Sequence, residues 1–143
     1  MPINNQPELI LLDTHIWMWL TDGVPKFISP QLRELIEKFR ADSAVRVSSI
    51  SVWEVGMLVL KNRVAFVNGV EEWVYRASHA PGIRMEAITT EIALESTLLK
   101  DYHGDPADRI LMATAKNTGA TLITQDKEIL SYSKKHGLAA LNI

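Results

Sequence analysis

Short apolar runs alternate along this chain with longer stretches in which apolar residues recur every three or four positions. The continuous runs predict strands buried on both faces, because they lack the polar alternation of a strand with one solvated side. These strands are predicted at residues 9–12, 45–47, 83–88 and 120–124, with a short edge strand at residues 138–141. The helical spacing between them predicts seven helices, which begin near residues 15, 30, 51, 69, 90, 106 and 126. This alternation predicts an α/β fold with a central parallel sheet between two helix layers, a three-layer α/β/α sandwich.

Composition narrows the possible functions. The 143 residues are 47% hydrophobic, enough for one compact domain with its own core, which we place at residues 1–143. The absence of cysteine excludes disulfides and thiolate metal sites. The first eight residues lack the basic segment of a signal peptide, and no apolar run reaches the roughly 20 residues of a membrane span, so we expect a cytoplasmic protein with no membrane partner. The net charge of −2 predicts that any nucleic-acid binding depends on local basic patches or metal ions.

Two carboxylates lie at the start of the most apolar predicted helix. Asp105 stands where a helix N-cap belongs, and Pro106 follows at the first helical position, where its missing N–H costs nothing. Asp108 comes three residues after the cap, so both acids face the positive end of one helix. Residues 110–115 behind them are apolar nearly all round, which predicts a helix buried in the domain.

Three further acids follow the first, second and fourth predicted strands. Asp13 and Asp126 lie at the ends of two strands, and Glu54 lies one turn into the helix after another. Because the carboxyl ends of parallel strands meet at one edge of a sheet, we expect these acids to gather there with Asp105 and Asp108. Carboxylates so close together do not all stay ionised without a cation between them. Oxygen ligands without cysteine or paired histidine favour Mg²⁺ or Mn²⁺.

Four short motifs stand in order along the chain. They are Leu11-Leu12-Asp13-Thr14, Ser51-x-x-Glu54, His103-x-Asp105-Pro106-x-Asp108-Arg109 and Thr124-x-Asp126. This ordered set resembles the motifs of PIN domains, in particular those of VapC-type toxins of bacterial toxin–antitoxin operons, over essentially the whole chain. The resemblance implies a PIN-like α/β/α sandwich and a Mg²⁺-dependent endoribonuclease that a small cognate antitoxin silences. Ala107 stands where this branch of the family usually has Phe, a departure that alters the packing beside the site.

The resemblance assigns roles to the acids. The catalytic acidic quartet is matched by Asp13, Glu54, Asp108 and Asp126. Asp105 matches an extra acid of this branch, and all five are expected metal ligands. Each acid also has an ordinary structural explanation: Asp13 suits a turn after a strand, three of the others suit helix starts, and Ser51-x-x-Glu54 has the form of a capping box.

Other residues have expected supporting roles. The hydroxyls of Thr14 and Thr124 are expected to orient carboxylates or waters, although threonine is common at strand ends. Arg109 is expected to contact a substrate phosphate, or else to pair with an acid at its helix end. Local positive potential for RNA is expected from Lys61, Arg63, Arg84, Lys100, Lys116 and Lys127.

Two other classes of protein remain open from the sequence. Phosphatases and phospho-receivers also place an Asp after the first strand of a parallel sheet, but a metal-dependent phosphatase requires a second Asp two residues later, where this chain has His15. A phospho-receiver requires a paired acid early and a Lys after a late strand, and neither is evident. The remaining alternative is a catalytically idle PIN-like scaffold that binds a partner, against which the complete set of acids argues.

Large apolar side chains on the early helices predict protein partners. Their number exceeds what the two cores of one small sheet are expected to bury, so we expect a homodimer and an antitoxin segment that binds along the groove leading to the acids. The set comprises Ile16, Trp17, Trp19, Leu20, Phe39, Trp53, Val55 and Leu58.

Overall fold

A parallel five-stranded sheet forms the centre of the molecule. The computed structural model describes residues 8–23 and 28–142. The strands are β1 (Ile10–Leu12), β2 (Val45–Ser48), β3 (Ile83–Glu86), β4 (Thr121–Ile123) and β5 (Ala140–Leu141), in the spatial order β3-β2-β1-β4-β5. Each neighbouring pair is parallel. The chain order reverses between β1 and β4, and the crevice beyond such a reversal is where open α/β sheets bind ligands.

Seven helices connect the strands within the described residues. They are α1 (Thr14–Asp22), α2 (Pro30–Ala41), α3 (Ser49–Leu60), α4 (Gly69–Ser78), α5 (Thr90–Thr97), α6 (Pro106–Thr118) and α7 (Lys127–His136). The predicted N-cap of α6 is confirmed, since Asp105 accepts a hydrogen bond from the Ala107 N–H at 2.7 Å. Ser29 caps α2 by accepting one from the Leu32 N–H at 3.1 Å. No helix in these ranges is long and apolar enough to cross a membrane.

Alternate residues of β1 enter two separate hydrophobic cores. Ile10 and Leu12 are buried in a cluster with Trp17 of α1 and Trp73 of α4. Leu11, which points to the other face of the sheet, is buried instead with side chains of β4, α6 and α7. Helices therefore cover both faces of the sheet, which confirms the predicted three-layer α/β/α sandwich.

The early apolar side chains are buried more completely than the sequence suggested. Seven of the eight either belong to the first core or pack against it, and only Trp53, at 55% exposure, is exposed. The expectation that one sheet could not bury this set was wrong, because helices α1 to α4 enclose it together. Trp17 and Trp73 form an edge contact at 5.0 Å in its middle, and Phe66 stacks on Trp73 at 4.8 Å.

Several elements differ from the predicted ones at their ends. Helix α3 begins at Ser49 rather than residue 51, because the Ser48 hydroxyl caps it by accepting from the Ile50 N–H at 3.1 Å. Helix α1 begins at Thr14, one residue earlier than predicted, because Asp13 caps it. Strand β3 ends at Glu86, before the predicted residue 88.

The sequence Asp22-Gly23-Val24-Pro25 predicts a break after the first helix, and it falls partly outside the described residues. Gly23 ends α1 with a φ of 63°, a left-handed conformation that glycine adopts without a steric cost. Val24 and Pro25, the rest of that predicted break, lie outside the described residues, as do residues 1–7 of the predicted polar lead-in.

Candidate active site

The predicted acids lie at the carboxyl edge of the sheet. Asp13 follows β1 and caps α1, and Asp126 follows the neighbouring strand β4 and caps α7. The two strands are in register there, with Leu12 opposite Ile123, and the Asp13 N–H donates to the Ile123 carbonyl at 2.9 Å. The site is therefore built on the crevice where the order of the strands reverses.

Both carboxylate oxygens of Asp13 accept hydrogen bonds. The Thr14 N–H donates to Oδ1 at 2.6 Å, and the Thr124 hydroxyl donates to Oδ2 at 2.6 Å. Thr124 itself accepts from the Asp126 N–H at 3.0 Å and is fully buried. Thr124 therefore joins the ends of β1 and β4 and fixes the orientation of the Asp13 carboxylate.

Glu54 is held by a chain of two hydroxyls. The Thr14 hydroxyl donates to Glu54 Oε1 at 2.6 Å and lies 2.8 Å from the Ser51 hydroxyl. Because Thr14 has one hydroxyl proton and gives it to the carboxylate, Ser51 is the donor in the second bond. Ser51 is buried inside α3, so the capping-box explanation of Ser51-x-x-Glu54 was wrong.

Asp108 projects from the first turn of α6 beside a buried tyrosine. The Tyr102 hydroxyl donates to Asp108 Oδ2 at 3.3 Å, and the Tyr102 side chain is 6% exposed. The ring lies over Gly104, where a Cβ atom would overlap it. Sequence reasoning missed Tyr102, because an isolated aromatic in a loop carries no periodic signal.

The remaining two acids act as helix caps in this structure. Asp105 caps α6 through the Ala107 N–H. Asp126 caps α7, where Oδ1 accepts from the N–H groups of Glu128 and Ile129 at 2.9 and 3.0 Å. Capping accounts for one oxygen of each carboxylate, so it does not compete with a further role for the other oxygen.

Burial and mutual repulsion raise the pKa of the central carboxyls. Burial is the largest cause for Asp13 and for Glu54, and it outweighs the hydrogen bonds from Thr124 and Thr14 that lower their pKa values. The pKa of Asp108 rises to about 7, first through burial and then through repulsion by the other four acids, Asp126, Asp13, Asp105 and Glu54. The five predicted residues thus form one electrostatic cluster with an excess of negative charge.

The donor set of this cluster suits a hard divalent cation. All five side chains offer carboxylate oxygen, and their repulsion is the kind that a cation relieves. A cavity of about 240 Å³ adjoins Asp13 and Asp126 and is also lined by His15, Trp19 and Gln125. Among the described residues, no three acidic or histidine side chains converge closely enough to hold a metal ion as they stand.

Comparison with known proteins identifies the family. A model of the PIN domain matches residues 10–135. The chain belongs to the PIN-domain family. This PIN domain is also 32% identical over 124 residues to the ribonuclease VapC22 of Mycobacterium tuberculosis, a match that covers 86% of this chain and 91% of that relative.

Solved structures share the fold of this PIN domain at lower sequence identity. DNA-bound VapBC from Salmonella typhimurium matches with a TM-score of 0.69 and 16% identity, over 95% of this chain and 98% of that one. VapBC2 from Rickettsia felis, bound to a DNA fragment from its promoter, matches with a TM-score of 0.70 and 15% identity, over 94% and 98%. These likenesses support the sandwich architecture derived above.

The guanidinium of Arg109 is hydrogen-bonded to backbone carbonyls of the segment that precedes α6. It donates to the carbonyls of Ser96 at 2.8 Å and Leu99 at 3.3 Å, and also to the carbonyl of Tyr102. The alternative expectation, an ion pair with an acid, is not seen among the described residues. The contacts thus tie α6 to the end of α5 and to the tyrosine that touches Asp108.

The raised pKa of Asp108 predicts a pH-dependent stability in the absence of divalent cations. The folded chain binds this proton more tightly than the unfolded chain, so its stabilising effect is present below the ordinary pKa of 3.8 and is lost as pH rises through about 7. The permanently neutral Asp108→Asn variant avoids that loss. In thermal melts with EDTA, we expect the stability of the variant relative to the parent to rise between about pH 4 and about pH 7, by about 1 kcal/mol or less because solvent screens the site. An advantage that does not change with pH contradicts this prediction.

Proposed function

We propose that this PIN domain is a Mg²⁺-dependent endoribonuclease and the toxin of a toxin–antitoxin pair in the cytoplasm. The observation that carries the proposal is the cluster at the carboxyl edge of the sheet, where burial and then repulsion by the four other carboxylates raise the pKa of Asp108 to about 7. A site with this much negative charge repels a phosphodiester unless a cation is bound, so the arrangement fits a metal-assisted reaction on a polyanion. The ribonuclease name of the VapC22 relative supports the same reaction class.

The five acids divide into inner and supporting ligands in this proposal. Asp13 and Asp108 would hold Mg²⁺, or Mn²⁺ in its place, and Glu54 and Asp126 would assist directly or through waters. Asp105 keeps its capping bond and offers its other oxygen. Bound Mg²⁺ would neutralise charge on the phosphodiester and make a water more acidic.

The surrounding residues prepare the site for in-line attack of water on the phosphorus. The bonds from Thr124 and Thr14 hold Asp13 and Glu54 in fixed orientations, so little reorganisation is needed when substrate binds. In this role Thr14 and Thr124 are positioning residues. Cleavage of the bond to the 3′ oxygen would leave a 5′-phosphate and a 3′-hydroxyl. We assign Arg109 to positioning as well, since its guanidinium is bonded to three carbonyls rather than open to a phosphate.

Metal removal tests this proposal. With Mg²⁺ or Mn²⁺, the chain is expected to cleave single-stranded RNA, and excess EDTA is expected to reduce the rate to background because it removes the cation that relieves the repulsion between the acids. Addition of Mg²⁺ should also raise the melting temperature of the parent more than that of Asp13→Asn, since binding to the folded state stabilises it. Undiminished cleavage in EDTA would rule out the mechanism. Hydrolysis of a phosphomonoester but not of RNA would favour a phosphatase, and neither activity would favour an idle scaffold.

The partners in this proposal are an RNA substrate, a cognate antitoxin and a second copy of the chain. An antitoxin segment would block the site by inserting a basic side chain among the acids, where it replaces the charge of the cation. The homodimer rests on exposed apolar side chains such as Trp53 and Leu60, at 55% and 71% exposure. Light scattering should give twice the mass of the chain, and a monomer at high micromolar concentration would exclude the dimer. An antitoxin that binds equally well to Asp13→Asn/Asp108→Asn would exclude the charge-based block.

A further inference from the structure

A groove lies beside the acidic cluster, between helix α7 and the loop that connects α5 to α6. It has a volume of about 750 Å³. The loop side consists of residues 101–104, and the α7 side carries Lys127, Tyr132, Lys135 and His136. The groove mixes cationic and aromatic side chains, and none of the five acids of the site lines it.

The groove is continuous with the site. Tyr102 lines the groove and donates its hydroxyl to Asp108. The helix on the other side begins at its cap, Asp126, and Lys127 is its first residue. A strand of nucleic acid that enters the groove at Lys127 therefore meets the acids at the same end.

An aromatic ridge divides this groove from a second one. Tyr132 stacks on His136 at 4.1 Å and 27° and makes an edge contact with Tyr102 at 5.2 Å. The Tyr132 hydroxyl donates to the Lys100 carbonyl at 2.8 Å, which fixes the ring. The second groove, of about 310 Å³, shares Tyr132 and His136 and is also lined by Lys100 and Lys116. A fixed, half-exposed aromatic pair of this kind is a surface on which an unpaired base stacks.

Two exposed lysines lie along the same path. Lys127 and Lys135 are exposed, and neither forms an ion pair within the described part of the chain. Lys134 and His136 also lie in the last turn of α7. Asp101 and Glu128 also line the groove and equal its two lysines in number, so the lysines matter at particular positions rather than through a net charge. Lysines spaced along a groove with aromatic rings are typical of single-stranded nucleic-acid sites.

We propose that this groove binds the single-stranded RNA that flanks the scissile phosphate, with backbone phosphates at Lys127 and Lys135 and one base on the Tyr132–His136 pair. The inference rests on the proposed ribonuclease function and adds a route for the substrate. A base already stacked within a duplex has no free face for the ridge, so the groove selects unpaired RNA.

Binding without cleavage tests the groove itself. The test uses the Asp13→Asn variant in EDTA, because this variant lacks one repelling carboxylate and does not hydrolyse the RNA under these conditions. Fluorescence anisotropy with a labelled RNA of about 12 nucleotides compares that chain with the same chain carrying Lys127→Gln and Lys135→Gln. We expect about 10-fold weaker binding and a slope of log affinity against log salt that is smaller by about 1.4, because two phosphate contacts on a single strand are lost. Lys38→Gln, an exposed lysine of α2, is the matched control and should change neither quantity.

Cleavage kinetics separate this inference from the proposed function. In the otherwise unaltered chain with Mg²⁺, the two lysine substitutions should raise KM about 10-fold. Most of the loss in kcat/KM should therefore come from KM and little of it from kcat. If the double-lysine variant cleaves RNA with an unchanged KM, or if the parent chain does not bind RNA, the proposed role of the groove is overturned. If the two lysine substitutions weaken binding of the antitoxin but not of RNA, the proposal is also overturned, because the groove would then be a protein-docking surface. Binding that depends on the lysines without any cleavage would refute the ribonuclease function and leave the groove standing.

Discussion

Replacement of Asp13 or Asp108 with asparagine is expected to lower RNA cleavage by at least about 100-fold, since loss of one charged metal ligand removes several kcal/mol of charge stabilisation. Asparagine keeps the size of each side chain and still caps a helix, so Asp13→Asn preserves the start of α1. Relief of repulsion also offsets any loss of stability, because burial and neighbouring acids disfavour the ionised form of both residues. Initial rates with Mg²⁺ measure the loss of cleavage, and circular dichroism of the same samples measures whether the fold is preserved.

Two matched variants make this prediction specific. Asp42→Asn changes an exposed carboxylate at the C-cap of α2 and should leave the rate unchanged. Asp105→Asn keeps the capping bond to Ala107. If Asp105 acts mainly as a cap, this variant should therefore retain most of the cleavage rate. A rate as low as that of Asp108→Asn would instead make Asp105 a metal ligand. An active Asp108→Asn beside an inactive Asp105→Asn would reverse the two roles.

The fold was predictable where a local pattern determines it. The continuous apolar run at residues 9–12 predicts a strand buried on both faces, and all three residues of β1 are buried. Pro106 after Asp105 predicts the start of α6 at the right residue. The start of α3 was not predictable in the same way, because residues 48, 49 and 51 are all serines able to cap a helix. Tertiary structure decides between them, since Ser51 is bonded to Thr14, 37 residues away in sequence.

The site was predictable to the extent that its residues carry charge at strand ends. Five acids in an α/β pattern point to one edge of a sheet, and the structure places them in one electrostatic cluster. The hydroxyls that orient them are harder to find, because the sequence pattern around a threonine at a strand end is the same whether or not its hydroxyl bonds a carboxylate. Tyr102 carries no local signal at all. Its position depends on a close approach to Gly104 and on the hydrogen bond from Arg109 to its carbonyl.

Arg109 gives the largest expected change in stability. Its guanidinium caps the C-terminal end of α5 by bonding the Ser96 carbonyl, and its charge is favourable beside the exposed carbonyls of a helix end. The same group bonds the carbonyls of Leu99 and Tyr102, so one side chain satisfies three buried or half-buried acceptors. Arg109→Leu should destabilise the chain by about 2–3 kcal/mol, since hydrogen bonds to charged groups are among the stronger ones and their partners are left unsatisfied. The melting temperature should fall by roughly 5–10 °C.

Arg109→Lys distinguishes positioning from phosphate contact. Lysine keeps the charge but lacks the planar fork, so it reaches one carbonyl rather than three and should lose nearly as much stability as Arg109→Leu. Because Tyr102 then loses its anchor beside Asp108, kcat should fall with little change in KM at a temperature where the variant is folded. Arg76→Lys, which alters an exposed pair with Glu72 at 3.2 Å, is the control and should change stability by less than about 0.5 kcal/mol. If Arg109→Lys keeps the parental stability and raises KM instead, the guanidinium binds a substrate phosphate and the three carbonyls do not depend on it.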